Sequence, residues 1–563
     1  MKTAKSIFSL FVILSGFSVS FGQTTSVEKG LATINKEIIQ AQLEFLASDW
    51  MEGREATTKG EFLAGDYLAG LFKLYGIKPA GDFEYAQAGR GRRAQFQLPG
   101  QSSAPQGTRS YFQNINFLAS EPVDDQTFGI AVNDGVSKKR ITFSYRTDFS
   151  LTPSGVGVEL ESPIVFVGYG FKSEEAGYDD FKGVDVRGKI VFRISGIPGM
   201  RDTSSAAYKK LKLNDRMMLM SYLRSRNDII EKLGAVGVID YNIGADMTQG
   251  AVVNYPFRYN TPFYERDKRL TAGTSIRIGI PEDTLRTGLN VITVSERIAH
   301  EILKGSGIDI KKYEKEAAEK LKSGAKEIKG KSAFIKTNVK TKVVRGRNVL
   351  GMIEGENPNE VIVVGGHYDH VGINEGFIWN GADDNGSGTV GVMTIAKAFA
   401  ESGVKPRRTV IFACWTGEEK GLLGSRYFVN KFKPLEDLIL NLNYDMIGRN
   451  SEDDTKGVKL GIQYSEDFPA LKEVVDKANK DYNLGLEIRF NPSKRPSGGS
   501  DFSSFSAKDI PVYGVMAAMH PDYHQPTDHV EKIDFEKMTK IIKMGFLAVW
   551  EFANSETNIK TGK

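Results

Sequence analysis

The carboxy-terminal part of the 563-residue chain holds tight packets of residues that bind metals or move protons. His367, Asp369 and His370 follow the apolar run VIVVGG, and Asp383 and Asp384 lie in GADDNGSG. Glu418 and Glu419 follow TVIFACWTG, Asp445 follows LILNLNY, and His520, Tyr523 and His524 follow IPVYGVMAAM. Imidazoles and carboxylates without thiols suit zinc, or manganese or cobalt in its place. Cys414 is the single cysteine, which excludes an intrachain disulfide and a Cys-rich zinc site. A lone Asp at a strand end is ordinarily a helix cap, and a lone His a structural residue. Their recurrence at successive strand ends points instead to one metal-binding crevice. A single catalytic zinc takes three protein ligands and an open position. A set of five or more donors fits two metals about 3.5–4 Å apart that share a carboxylate.

Those packets need a frame that brings strand ends together. VIVVGG (361–366), TVIFACW (409–415), LILNLNYDMIG (438–448) and IPVYGVMAAM (510–519) are unbroken apolar runs separated by helical stretches. That texture predicts an α/β fold with a mainly parallel central sheet covered by helices on both faces. In such sheets ligands bind beyond the carboxyl ends of the strands. Upstream, residues 28–80 carry a helical spacing of apolar residues. Residues 85–108 read as a solvated loop bearing Arg90, Arg92 and Arg93. From about 120 to 300 short apolar runs (SPIVFVGYGF, KIVFRIS, AVGVIDYN, NVITVS) predict a compact β-rich unit with one helix at about 215–233. The charged stretch 311–332 reads as a solvated helix or connector.

The motifs GGHYDHVG, NGADDNGSGTVGVM, TGEEKGLLGS, NYDMIG, GGSDFSSF and HPDYHQPTDHVEKID resemble, in order, those of the co-catalytic zinc aminopeptidases of the bacterial leucyl aminopeptidase type. Glutamate carboxypeptidase II and the transferrin receptor are relatives of that family. GYDDFKGVDVRGKIVF and GAVGVIDYN are similar to the protease-associated domain often inserted in these enzymes. The resemblance implies two Zn2+ ions, with Mn2+ or Co2+ as substitutes, and peptide substrates with a free N-terminus. It implies His367 and Asp445 on one metal, Glu419 and His524 on the other, and Asp383 bridging them. Glu418 becomes the general base and Asp369 the carboxylate that orients His367, with a cis peptide between Asp383 and Asp384. His370, His520 and His529 match no ligand position. The chain departs from the family at Ser500, Asp501 and Phe502, where SDH is frequent, and it lacks an upstream Tyr to assist the oxyanion. Tyr523 is the candidate left for that role.

Domain boundaries follow as a secretory leader at 1–22, an amino-terminal part of the peptidase at 23–119, an inserted domain at 120–330 and a catalytic domain at 331–563. The leader rests on Lys2, Lys5 and the apolar stretch to Phe21, and implies export to a periplasm or the exterior, a bacterial one by preference, without stable membrane insertion. Basic and acidic residues number 74 and 70, so no charge excess argues for nucleic acid. Three alternatives stand beside the aminopeptidase. A glutamate-type carboxypeptidase needs arginines to grip a carboxylate, and Arg449 and Arg495 are those near the motifs. An inactive receptor-like binding protein would have lost ligands. A glutaminyl cyclase-like transferase uses one zinc.

Overall fold

The computed structural model describes residues 25–85, 107–133, 135, 137–152, 157–214, 216–243, 277–281, 289–374 and 376–556. The expected leader and Arg90, Arg92 and Arg93 lie outside the described residues. Among the described residues no helix is long and apolar enough to cross a membrane.

A ten-stranded sheet forms the larger frame. Its main strands are β1 (Phe112–Pro122), β2 (Val339–Ile353), β3 (Asn357–His367), β4 (Arg408–Trp415), β5 (Leu438–Tyr444), β6 (Lys459–Ser465), β7 (Glu487–Ser493) and β8 (Val512–Met516). They lie in the order β1-β2-β4-β3-β5-β8-β6-β7. The four apolar runs form a parallel core, β4-β3-β5-β8. Both flanks depart from the expected mainly parallel sheet. β2 runs antiparallel to β4 and to β1, and β6 runs antiparallel to β8. The sheet is therefore mixed. The flanking strands expose part of their length, as the alternating burial along β1 and β6 records, whereas β4 and β5 are buried throughout. Unbroken apolar sequence marked only the doubly covered strands.

Register brings the parallel strands to a common edge: His367 pairs with Trp415, Gly365 with Asn443, and Tyr444 with Val515. One face is covered by α1 (Lys36–Leu46), α2 (Lys59–Leu74), α3 (Gly388–Ser402) and α5 (Phe535–Asn554), whose apolar residues share one core with the sheet. α4 (Leu423–Lys431) and the short helix Phe502–Ser506 cover the other, packing Phe428 and Phe505 on Trp415. Asn35 and Asp534 cap α1 and α5 by accepting N–H groups of the first turn.

A second, eight-stranded sheet runs between Thr127 and Lys336 around its own aromatic core, with Phe128, Phe166 and Phe192 at its centre. The expected helix near 215–233 is present as Arg216–Lys232. The stretch 311–332 is not wholly a connector. After the helix Ile310–Lys320, the strand Lys326–Lys336 lies inside the second sheet, between Thr127–Asn133 and Glu159–Phe166. Ile328, Ala333 and Ile335 are buried between lysines that stay outside, so the charges follow a strand with one wet face. Arg277–Gly279, inside the expected insert, pairs with β1 of the larger sheet.

Candidate active site

His367 is the last residue of β3 and is fully buried. Its carbonyl accepts the Thr389 hydroxyl at 2.6 Å, which ties the strand end to the first turn of α3. The irregular turn Ala382–Ser387 leads into that helix with all six residues buried. Two contacts hold the turn down. Asn385 donates to the Tyr444 carbonyl at 2.9 Å, and a Cβ on Gly388 would meet that same carbonyl at 2.2 Å, so only glycine fits there.

This turn corrects the expected bridge. Asp383 turns its carboxylate away: Oδ1 accepts the Gly448 N–H at 2.7 Å and Oδ2 lies 3.1 Å from His520 Nε2. Asp384 points into the crevice instead, Oδ1 3.4 Å from His367 Nε2 and Oδ2 3.0 Å from His524 Nε2. The cis peptide joins Asp384 to Asn385, one residue later than expected. Adjacent aspartates diverge, and the sequence alone gives no sign of which one faces inward. Asp528, fully buried, fixes the choice by accepting the N–H groups of Asp383 and Asp384 at 3.0 and 3.1 Å.

The remaining donors fall into two groups on either side of Asp384. His367, Glu418 and Asp445 form one, with His367 Nε2 3.5 Å from Asp445 and 4.0 Å from Glu418. Glu419 and His524 form the other, 3.1 Å apart, and His370 joins them with Nδ1 2.9 Å from Glu419 Oε1. His370, which the family resemblance leaves without a ligand position, thus stands among the candidate donors. His524 has a left-handed backbone, φ 49°, and its ring stacks on Tyr523 with centroids 3.9 Å apart. Tyr523 is therefore a wall for His524. His520 serves Asp383, and His529 is exposed.

Asp369 departs in part from its expected role. His367 Nδ1 lies 3.1 Å from the main-chain carbonyl of Asp369 and 3.7 Å from its carboxylate. The carboxylate instead accepts the N–H groups of Glu418 and Glu419 at 3.1 and 3.4 Å.

Electrostatics separate the two glutamates. Burial pushes the Glu418 carboxyl well above its ordinary range; His367 opposes the shift, while Glu419, Asp501 and Asp445 add to it. Burial acts on Glu419 too, but His524, with His370 bonded alongside, overrides it and holds Glu419 near 2. Asp384, buried as deeply, is likewise held well below its usual value by His367 and His524. Burial disfavours a charged His524, yet Glu419 and Asp384 hold it well above 6.5.

Converging acceptors of this kind suit cations. Oδ2 of Asp384 and Oδ1 of Asp445 are buried facing imidazoles, and three imidazoles and four carboxylates meet there. The donor set fits two divalent ions sharing Asp384. Beside Asp445 opens a cleft of about 870 Å³, lined by Asn443, Ser500, Phe502, Met516 and, from the segment of the second sheet, Asn214.

An α/β sheet whose parallel strand ends gather imidazoles and carboxylates in a buried crevice has the donor set of a metal-binding site. Residues 348–548 match the sequence model of Peptidase family M28. Over 242 residues the chain is 30% identical to leucine aminopeptidase 2 of Trichophyton rubrum, covering 38% of this chain and 47% of that protein. It is also 30% identical over 189 residues to leupeptin-inactivating enzyme 1 of Streptomyces exfoliatus, covering 33% of this chain and 39% of the relative. The match thus spans about half or less of these curated relatives. An aminopeptidase structure from Aneurinibacillus sp. strain AM-1 superposes with a TM-score of 0.53 at 19% identity, covering 95% of this chain and 98% of the other, a likeness of fold.

Proposed function

We propose that the protein is a two-metal exopeptidase that removes the N-terminal residue of peptides, with zinc as the resident ion. The observation that carries this reading is the carboxylate of Asp384, set between His367 at 3.4 Å and His524 at 3.0 Å. His367 and Asp445 would hold one ion, Glu419 and His524 the other, with Asp384 shared. Metal held in this crevice would supply Lewis acidity to the scissile carbonyl and would acidify the attacking water. Glu418 takes the water's proton and passes it to the leaving amine. Its burial supports this task, since a carboxyl raised above its ordinary range holds the proton that it takes. Asp369 holds Glu418 and Glu419 in register through their main chain. The cleft beside Asp445, about 870 Å³, has the capacity for a side chain and the residues that follow it.

The second sheet reads as an inserted unit without catalytic groups, which supplies Asn214 to the cleft wall. The carboxypeptidase alternative finds no support in its arginines. Arg449 donates to Asp522 at 2.9 Å, and Arg495 lies on the surface paired with Asp509 at 2.8 Å. A panel of aminoacyl-anilides, assayed with and without chelator, tests the reading. Turnover that survives chelation, or none on any free-amine substrate after zinc is restored, refutes it.

A further inference from the structure

The two sides of Asp384 are not equivalent. On the first, His367 and Asp445 face Asp384, and Glu418 stands at the margin, 4.0 Å from His367, in the proton-transfer role. On the second, His370, Asp384, Glu419 and His524 each offer a donor atom, all within 4.8 Å of one another. His524 Nε2 lies 3.0 Å from Asp384 Oδ2 and 3.1 Å from Glu419 Oε2, and His370 Nδ1 lies 2.9 Å from Glu419 Oε1 and 3.8 Å from Asp384 Oδ2. Donors about 2.1 Å from a tetrahedral ion sit about 3.4 Å apart, and these separations straddle that edge.

The ring of His370 is fixed from outside the cluster. The main-chain N–H of His370 donates to the Arg54 carbonyl at 3.1 Å, and the ring Cδ2 lies where a Cβ on Gly381 would come within 2.5 Å. Arg54, fully buried, donates to the carbonyls of Tyr368, Leu46, Asn380 and Gly381, so it clamps the loop bearing His370 to the turn bearing Asp384. The ring does not need to move to meet an ion.

We propose that His370 is a fourth protein ligand of the second metal through Nδ1, so that this site is closed while the first keeps an open position. The proposal rests on the two-metal reading above. A site with all four positions taken by protein holds its ion as a structural zinc does, whereas an open site exchanges water and substrate. The second ion then becomes the tightly held one and the first the substrate-facing one. The competing role for His370 is donation from Nδ1–H to Glu419, which would orient that carboxylate without touching the metal.

The test uses the full-length protein loaded with two equivalents of Co2+ and its proton NMR spectrum in water. Each ligating imidazole contributes one paramagnetically shifted, exchangeable ring N–H. Three such signals are expected, from His367, His370 and His524. Two signals with two ions bound overturn the proposal and leave the two-metal reading standing; fewer than two ions bound overturns both. Competition with a metallochromic chelator gives a second readout. His370→Gln keeps a donor for Glu419, so an orienting role predicts affinity at or near wild type. The fourth-ligand role predicts that His370→Gln and His370→Ala both weaken the second ion by more than the roughly 100-fold that marks an orienting residue. His370→Gln at wild-type affinity refutes it.

Discussion

Asp369 Oδ1 accepts the main-chain N–H of Glu418 at 3.1 Å. One carboxylate beyond the end of β3 thereby sets the height of the loop that follows β4, and with it Glu418 and Glu419, the proposed base and the proposed metal ligand. Asp369 is buried with no exposure, so its removal leaves two N–H groups without an acceptor. Asp369→Ala should therefore lower kcat and weaken the second ion, by about 10–100-fold in affinity. Metal titration alongside turnover checks this. A loss confined to His367's ion would return Asp369 to the role of imidazole orienter.

Glu418 and Glu419 are sequence neighbours with opposite electrostatics, one pushed up by burial and one held near 2 by His524 and His370 despite it. Glu418→Gln should keep both ions and bind inhibitor while losing turnover by about 10²–10⁴-fold, the range for a lost general base. Glu419→Gln should instead weaken one ion. Metal content and kcat measured on both variants decide the assignment, and the reverse pattern would exchange the roles.

Asp384 and Asp383 separate in the same way. Asp384→Asn should cost both ions, because its two oxygens face His367 and His524. Asp383→Asn keeps the inward carboxylate and disturbs only the contacts to Gly448 and His520. Elemental analysis after dialysis should find the first variant depleted of both ions and the second near wild type.

Away from the crevice, Glu61 on α2 is fully buried, and burial raises its carboxyl to about 7 against the bonds from Thr416 and the Thr57 N–H. A raised folded value means that the folded chain binds this proton more tightly than the unfolded chain. The stability it contributes is full below about 4.5 and is lost as pH rises through about 7. The shift bounds that contribution at about 3 kcal/mol. Thermal melts between pH 4.5 and 7 should show the decline in the wild type and a flatter profile in Glu61→Gln. Equal slopes would show that Glu61 is ionised in the folded chain.

Much of this was legible in the sequence because the parallel core is buried on both faces. VIVVGG, TVIFACW, LILNLNY and the run ending at Met519 have no polar alternation to obscure them, and the residues just beyond them form the candidate site. β1, β2, β6 and β7 were harder to read, since one wet face breaks the apolar run and strand direction leaves no mark on composition. Asp383 and Asp384 could not be ranked from their order, because the choice is made by Asp528, more than a hundred residues away in sequence. His370 has no ligand position in the family resemblance for a related reason. Its approach to Glu419 depends on Arg54, from a segment before α2 that carries no metal-binding motif.

We propose that residues are removed from a free N-terminus by a two-metal centre. Mass spectrometry of a peptide incubated with the zinc-loaded protein, beside its N-acetylated and its C-amidated counterparts, tests it most directly. The free and the amidated peptides should shorten stepwise from the N-terminus, and the acetylated one should remain whole. Shortening from the C-terminus, or equal cleavage of the acetylated peptide, would contradict the claim.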